Sequence, residues 1–569
     1  MHKTYKENGI KVPLAFYQAL YDLKKINNKR IGSLLRAYPR ETSSLFSRDQ
    51  LLASYHEYVQ AGDLLPRSDV AETLRLKPGR TISGVTPITV LTKPYPCPGK
   101  CIFCPNDIRM PKSYIASEPG AQRAARNAFD PYLQTYNRML ALKNIGHNTD
   151  KIELIILGGT WSFYPLDYRI WFIKRCFEAM NDFPKKDQRP QKASLYSEVA
   201  ETYNEPRNYN DNVKVTADAM ETAKWEELFK QQEKNVEAEC RNVGLVIETR
   251  PDYIDAKEVQ SLRMFGATKI QIGVQNLNEN ILDLNHRGTT RSQIIKAIDL
   301  LRLGGFKIHI HWMPNLFGAS VASDKHDYLE LWKNIAPDEL KIYPTSVIKG
   351  TLLYTYYKQG KHKTYSQEEL NELLEFCLLH TPRYCRLTRI IRDIPSNEIE
   401  AGNKITNLRQ TIEESLKQKG TPCQCIRCRE IRNQKIGMNE LKLNEAQYKS
   451  NVGDEYFLSF DTKIDDKLAG FLRLHLSDKN LNSETIFPEL QDAAIIREVH
   501  VYGQVVGLGI KTNNKAQHIG LGKKLITKAE GISKQKGFSK IAVISAIGTR
   551  GYYAKLGYKL RGLYMLKDL

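Results

Sequence analysis

Residues 86–104 read TPITVLTKPYPCPGKCIFC. An apolar run rich in β-branched residues leads straight into a loop carrying three cysteines, which is a strand followed by a functional turn. The same pattern recurs as KIELIILGG (151–159), GLVIETRP (244–251), ATKIQIGVQ (267–275), FKIHIHWMP (306–314) and DELKIYP (338–344). The intervals between them are long enough for helices. Strand–helix repetition predicts an α/β fold with a parallel sheet, closed or partly closed into a barrel. Ligands in such folds sit at the carboxyl ends of strands. The cysteine loop, Gly158-Gly159-Thr160 and the ETRPD of 248–252 all follow strands, so they are expected at one mouth.

The chain has 569 residues, 41% apolar and 26% charged, which excludes disordered and collagen-like classes. The length predicts two to four domains. Lys and Arg number 84 against 64 Asp and Glu, a net charge of +20. Such an excess fits a polyanionic partner, nucleic acid before a membrane surface, or plain solubility charge. MHKTYKENGIKVP at the start has no apolar core of signal-peptide length, and no run approaches the ~18 apolar residues of a membrane span. A cytoplasmic, reducing location is expected. Of the ten cysteines, six fall in two tight triplets, and there clustered thiols read as metal ligands.

Four segments are expected. Residues 1–75 are helical and basic (FYQALYDLKK, DQLLASYHEYVQA), which suits either a nucleic-acid-binding module or a helical cap. Residues 76–382 hold the strand–helix repeats, interrupted at 184–240 by a polar stretch read as a surface insertion. Residues 383–449 form a basic linker with the second cysteine triplet. Residues 450–569 restart with FLSFDT, GFLRLHL and IIREVHVYG, a second and smaller α/β domain.

Cys97, Cys101 and Cys104 are spaced by three and then two residues. A short loop of this kind can wrap three thiolates around three corners of a 4Fe–4S cluster and leave the fourth iron open. An open iron can bind the amino and carboxylate groups of S-adenosylmethionine, whose reductive cleavage gives a 5′-deoxyadenosyl radical. Structural zinc is the competing reading, but zinc wants four closed ligands and no fourth lies near in sequence. Gly158 and Gly159 let backbone carbonyls approach the methionine amino group. Glu248 and Arg250 fit contacts to the ribose or carboxylate of S-adenosylmethionine, although an Arg–Asp pair after a strand is often a structural salt bridge.

In the last segment, Gln517, Gly520 and Gly522 form Gln-x-x-Gly-x-Gly before a helical stretch. Successive backbone N–H groups there can face a pyrophosphate. A strand precedes it, IAVISAI follows, and GTRGYYAKLGY closes the order, which resembles the GNAT acetyltransferases. That resemblance implies that the strand containing Glu498, Val499, His500 and Val501 holds acetyl-CoA through its backbone. It also implies a tyrosine that protonates the leaving thiolate, Tyr553 before Tyr552. Cys423, Cys425 and Cys428 read as structural zinc ligands or as a second iron–sulfur site; His380 and Cys385 are candidates for a fourth ligand.

A radical S-adenosylmethionine domain joined to a GNAT domain resembles the catalytic subunit of Elongator and its bacterial and archaeal relatives. CPGKCIFCPND, GLVIETRPDYID, HRGTT, DELKIYPTSVIKGTLLY, RIIRDIP, CQCIRCRE, QHIGLG and IAVISAIGTRGYYAKLGY carry the resemblance, in order, from about residue 75 to the end. It implies conversion of the tRNA wobble uridine to 5-carboxymethyluridine with acetyl-CoA and S-adenosylmethionine. The partners implied are a tRNA anticodon stem-loop and an external electron donor, with no membrane. Carried over, Lys151 touches acetyl-CoA, Leu521 to Lys523 join its site, and Lys341 and Tyr343 face a shared cleft. The short gap between the first two cysteines fits a prokaryotic stand-alone enzyme. The N-terminal helices match the eukaryotic subunit poorly, and 184–240 is longer than the family pattern. A protein lysine acetyltransferase with a structural cluster, and a tRNA-binding protein without catalysis, are the alternatives; complete cysteine and GGT motifs weigh against both.

Overall fold

The computed structural model describes residues 11–23, 26–39, 45–75, 81, 83–183, 209–210, 213, 221–432, 434, 436–478, 486–502 and 520–569. Strands β1 (Thr86–Leu91), β2 (Lys151–Leu157), β3 (Arg241–Thr249), β4 (Lys269–Gln275), β5 (Lys307–Trp312) and β6 (Glu339–Ile342) lie side by side, parallel and in chain order. A short β7 (Val347–Ile348) pairs with β9 (Ile399–Ala401), while β8 (Arg386–Arg389) joins β6 as the seventh parallel strand. β1 and β8 are the two edges, so the barrel is an open half-barrel.

Parallel strands covered on both faces normally read as continuous apolar runs. Here they alternate. Ile152, Leu154, Ile270, Ile272, Ile308 and Ile310 turn outward into one core with Phe172 and Ile173 of the helix Leu166–Asp182. The residues between them, Glu153, Lys269, Gln271, Lys307, His309 and Glu339, face the lumen. The outward row holds the barrel together and the inward row is left for chemistry.

The second sheet runs β10 (Leu441–Ser450), β11 (Gly453–Thr462), β12 (Leu468–Ser477), β13 (Ala493–Val501), β14 (Lys540–Val543), β16 (Tyr564–Asp568), β15 (Lys559–Arg561). Its pairs are antiparallel except β13 with β14. The helix Leu521–Gln535 buries Leu521, Leu525, Ile526 and Ala529 on it. Helices Leu14–Tyr21, Asn28–Ala37, Arg48–Ala61 and Ser68–Leu74 share a separate core of Phe16, Tyr17, Leu20, Leu51 and Leu52. No helix among the described residues is long and apolar enough to cross a membrane.

Three boundaries differ from the sequence reading. The stretch 184–240 contains the helix Trp225–Asn235, packed on the barrel by Leu228, Gln232 and Asn235. Two of these inward residues are polar and bond to Met264 O and Cys240 O, so the apolar positions stop after the first turn with Trp225, Leu228 and Phe229. The basic linker from 383 supplies β8 to the barrel, and the helix Leu408–Gln418 buries Leu408, Ile412 and Leu416 in the barrel's core. The second sheet starts at Leu441 rather than 450, because β10 is a largely exposed edge strand of polar residues.

The second sheet meets the barrel at the amino ends of its strands. Arg263 donates to Ser545 O and Leu563 O, and a Cβ on Gly548 would lie 2.8 Å from Asn242 O. One chain of alternating charges crosses the interface: Arg302, Glu455, Arg497, Asp338, Arg473, Glu498, Lys307, Glu339, Lys269, Glu153. Asp338 and Glu455 are wholly buried. Burial pushes the Asp338 carboxyl up, but the Arg497 and Arg473 guanidiniums outweigh it and hold the carboxyl below its usual range. Removing one partner of a buried pair leaves an uncompensated charge and costs about 3–5 kcal/mol. Asp338→Ala is therefore expected to lower the urea midpoint by that equivalent. Arg561→Ala, which breaks an exposed pair with Asp568, is expected to leave the midpoint where it is.

Candidate active site: two ends of one cavity

The loops after β1, β2 and β3 converge. Cys97 Sγ lies 3.5 Å from Thr160 Oγ1, and Cys101 Sγ faces Arg250 Nη1 at 3.9 Å and Arg287 Nη1 at 3.8 Å. Two guanidiniums stand beside this sulfur, while burial, with the neighbouring Cys101 and Cys97, pushes the Cys104 thiol up to about 12. The three sulfurs are not drawn into a group within 4.8 Å, the spacing of a single-ion site, as the second triplet is. Three cysteines on one short loop, with two guanidiniums beside one of them, fit an anionic iron–sulfur cluster. Gly158 (φ +116°) and Gly159 (φ +57°) lie in the left-handed half of the backbone map. A Cβ on Gly158 would meet Thr92 Oγ1, and one on Gly159 would stand 3.1 Å from the Tyr164 hydroxyl. The backbone there stays bare.

A cavity of about 1040 Å³ runs from this mouth through the lumen. Cys104 and Phe103 line one end; Val499, His500 and Tyr553 line the other. Between them, Glu248 accepts from the Tyr114 hydroxyl at 3.2 Å and lies 3.4 Å from His311 Nδ1. Arg250 is tied to Asp252 at 2.9 Å, so it is at once a structural ion pair and a cation on Cys101. Lys341 Nζ donates to Gln271 Oε1 at 2.6 Å and lies 3.1 Å from His311 Nε2. Burial pushes the Lys341 ammonium down to about 8 and the His309 imidazole down to about 3. Tyr343 also lines this stretch.

At the far end β13 pairs with β14 only through Ile496, after which the two strands part. Its other edge stays paired with β12 through Val501. Backbone groups of Glu498 to Val501 therefore face the gap left by β14. Glu498 is held by Arg473 at 2.9 Å and by Lys307. Gly520 sits at φ +74° before the helix Leu521–Gln535 with no side-chain cap, leaving the first-turn N–H groups open. Lys523 is exposed there. Tyr553 is 8% exposed and Tyr552 is 45% exposed. A Cβ on Gly522 would stand 2.9 Å from the Tyr552 hydroxyl, so that ring lies over the helix start. Gln517 lies outside the described residues. Lys151 is the first residue of β2, in the same inward row as Glu153 but below the cavity lining.

Cys423, Cys425 and Cys428 bring their sulfurs within 4.8 Å of one another, a donor set that fits one zinc ion. His380 and Cys385 are not in that group. Glu413 Oε1 instead lies 3.3 Å from Cys428 Sγ, and Arg409 Nη2 lies 3.6 Å from it.

The sequence reading passed over Gln271, His311, Lys269, Lys307 and Arg287. The signal was available for the first four. Polar residues at every second position of β4 and β5, where a parallel strand should be apolar throughout, mark a lumen-facing row.

Three family models match the chain: the Radical SAM superfamily over residues 95–318, the Radical_SAM C-terminal domain over 337–418, and the acetyltransferase (GNAT) family over 427–558. The tRNA uridine(34) acetyltransferase of Methanocaldococcus infernus is 39% identical over 513 residues, 87% of this chain and 88% of that protein. That of Dehalococcoides mccartyi is 37% identical, covering 87% and 99%. Elongator complex protein 3 of Dictyostelium discoideum is 36% identical over 575 residues, covering 98% and 93%. The proteins of that name from Danio rerio and Drosophila melanogaster cover 88% and 87% of this chain. The solved structure of the archaeal Methanocaldococcus infernus Elp3 with N-terminus deletion (1–46) superposes with a TM-score of 0.67 at 34% identity, over 86% of this chain and all of that one.

Elemental analysis offers a direct check on the second triplet. The purified protein is expected to retain zinc, and Cys425→Ser to lose it with its iron content unchanged. Iron lost in that variant would mark a second cluster instead.

Proposed function

The chain belongs to the family of the archaeal and bacterial tRNA uridine(34) acetyltransferases and Elongator complex protein 3, and from that premise we propose that it converts the tRNA wobble uridine to 5-carboxymethyluridine. The observation that supports this reading is the single cavity with cluster-type cysteine Cys104 at one end and the splayed strand of the acetyltransferase sheet at the other. Two chemistries that open into one lumen can act on one acetyl group.

Cys97, Cys101 and Cys104 would hold the 4Fe–4S cluster. Reduced by an external donor, that group would supply the electron that turns S-adenosylmethionine into a radical able to take one hydrogen from the acetyl methyl group. The methyl carbon would then take the place of the hydrogen on carbon 5 of the uracil, which would leave as a proton with its electron returned to the oxidised cluster, and hydrolysis of the thioester would release coenzyme A. Arg250 and Arg287 place two guanidiniums against the Cys101 sulfur. Backbone groups of Glu498 to Val501 hold the pantetheine arm, and the N–H groups from Gly520 to Lys523 hold the pyrophosphate. Burial pushes the Tyr553 phenol up, so it keeps its proton until the thiolate leaves. Lys151, the first residue of β2, is assigned to acetyl-CoA by the family resemblance. Glu248 orients groups at the S-adenosylmethionine end through Tyr114 and His311. Cys423, Cys425 and Cys428 hold a structural zinc.

The tRNA supplies the polyanion that the +20 charge fits. Arg389, Arg392 and Arg427 line the cavity on the β8 side, where backbone phosphates can rest. The wobble base must unstack to enter, as single-stranded RNA recognition generally requires.

Reconstituted, reduced protein incubated with S-adenosylmethionine, acetyl-CoA and tRNA is expected to yield 5-carboxymethyluridine by mass spectrometry of nucleosides. Cys101→Ala is expected to yield none. Acetylated protein without modified nucleoside would mean a protein acetyltransferase and overturn the reading.

A further inference from the structure

Four successive strands each send one polar side chain into the middle of the lumen: Glu248 from β3, Gln271 from β4, His311 from β5 and Lys341 from β6. Register makes them neighbours. Glu248 lies opposite Gln271, and His311 lies opposite Lys341. All four line the cavity that has Cys104 at one end and Val499 and Tyr553 at the other.

Their hydrogen bonds leave two donors over. Lys341 Nζ lies 2.6 Å from Gln271 Oε1 and 3.1 Å from His311 Nε2. An ammonium donates and never accepts, so it turns the Gln271 amide with Oε1 toward Lys341. It also leaves His311 Nε2 as an acceptor, with the Nδ1–H toward Glu248 Oε1 at 3.4 Å. Two of the three Lys341 N–H groups are used in this way. Burial pulls the ammonium down to about 8, which still keeps the third proton at neutral pH. Gln271 Nε2 donates to no described residue, and it is not among the polar atoms sealed inside the protein, as His309 Nδ1 and His500 Nε2 are. The carboxylates nearby are taken. Glu339 is held by Lys269 and Lys307, and Glu248 by Tyr114 and His311. Two N–H donors side by side in a cavity wall fit a carbonyl oxygen from a ligand.

Resting on the function proposed above, we propose that Gln271 Nε2 and Lys341 Nζ receive O4 of the wobble uracil and so select uridine over cytidine. The uracil has to lie between the two ends of the cavity, because its carbon 5 meets the acetyl methyl carbon there. O4 sits on the ring carbon next to carbon 5, so it arrives with it. Cytosine carries an amino group at that position, and its N–H groups would meet two donors. The Gln271 amide cannot turn over to offer its oxygen, because Nε2 would then face the Lys341 ammonium. His311 and Glu248 are positioning residues that hold Lys341 in place. A site built to hydrogen-bond one group rejects the analogue that lacks it, because its own polar atoms are left unpaired.

The test measures equilibrium binding of anticodon stem–loops with U or C at the wobble position. It uses the full-length, cluster-reconstituted protein with acetyl-CoA and without reductant, so that no reaction runs. Phosphate contacts are common to both RNAs, and the ratio of affinities isolates the base. A pair of hydrogen bonds to a base edge discriminates roughly 10- to 100-fold, and the wild-type preference for U is expected in that range. Gln271→Glu keeps the shape, offers a carboxylate oxygen, and is expected to move the preference toward C. Lys341→Met is expected to bring the ratio near one. Acetyl-CoA affinity and the thermal midpoint are expected to hold in both variants. A wild-type ratio near one, or a ratio unchanged in both variants, would overturn the proposal. So would a loss of acetyl-CoA affinity with the ratio intact, which would give the two donors to the thioester carbonyl instead. A ratio that behaves as expected in a protein that never yields 5-carboxymethyluridine would sink the proposed conversion and leave the base selection standing.

Discussion

Everything in this molecule hangs on the row of ten alternating charges from Arg302 to Glu153. Burying any one of them alone would cost several kcal/mol. Each interior member has an opposite charge on both sides, and Asp338 also accepts the Ile308 N–H at 2.8 Å. The row begins in the helix before β5, passes through β11, β13 and β12, and returns to the inner face of the barrel. It fixes the second sheet against the amino ends of the barrel strands. A hydrophobic seam would bind the two parts as well. It would not fix their register so narrowly, because apolar contact is non-directional.

The same row also sets the chemistry of the lumen. Its carboxylates are neutralised by lysines and arginines, so they make poor bases. Burial also holds the His309 and His311 imidazoles neutral and pulls the Lys341 ammonium down to about 8. The cavity lining carries more Lys and Arg than Asp and Glu, with Arg389, Arg392 and Arg427 on the β8 side outside the row of paired charges.

Parts of this were legible from the amino-acid order. Cys97, Cys101 and Cys104 fall within eight residues, and a loop that short can present three thiolates to one ligand whatever surrounds it. The glycines at 520 and 522 open a helix for the same local reason. Trp225–Asn235 was hard to read, because its apolar positions, Trp225, Leu228 and Phe229, stop after one turn and the rest of its inward face is Gln232 and Asn235. The zinc-type triplet was legible as three thiols, but the Glu413 carboxylate beside it comes from another helix.

Sequence alone determined the parallel barrel, the second α/β unit, the three-cysteine loop and the glycine turn that opens the helix Leu521–Gln535. Each is written in spacings of a few residues, where covalent geometry leaves little freedom. Tertiary structure decided that the two halves share one cavity, that Lys269 meets Glu339 across 70 residues, and that Gln271, His311 and Lys341 meet in the lumen. Those facts depend on strand register and on how one sheet docks against another. Both are set by the summed burial of distant side chains, which no local pattern records.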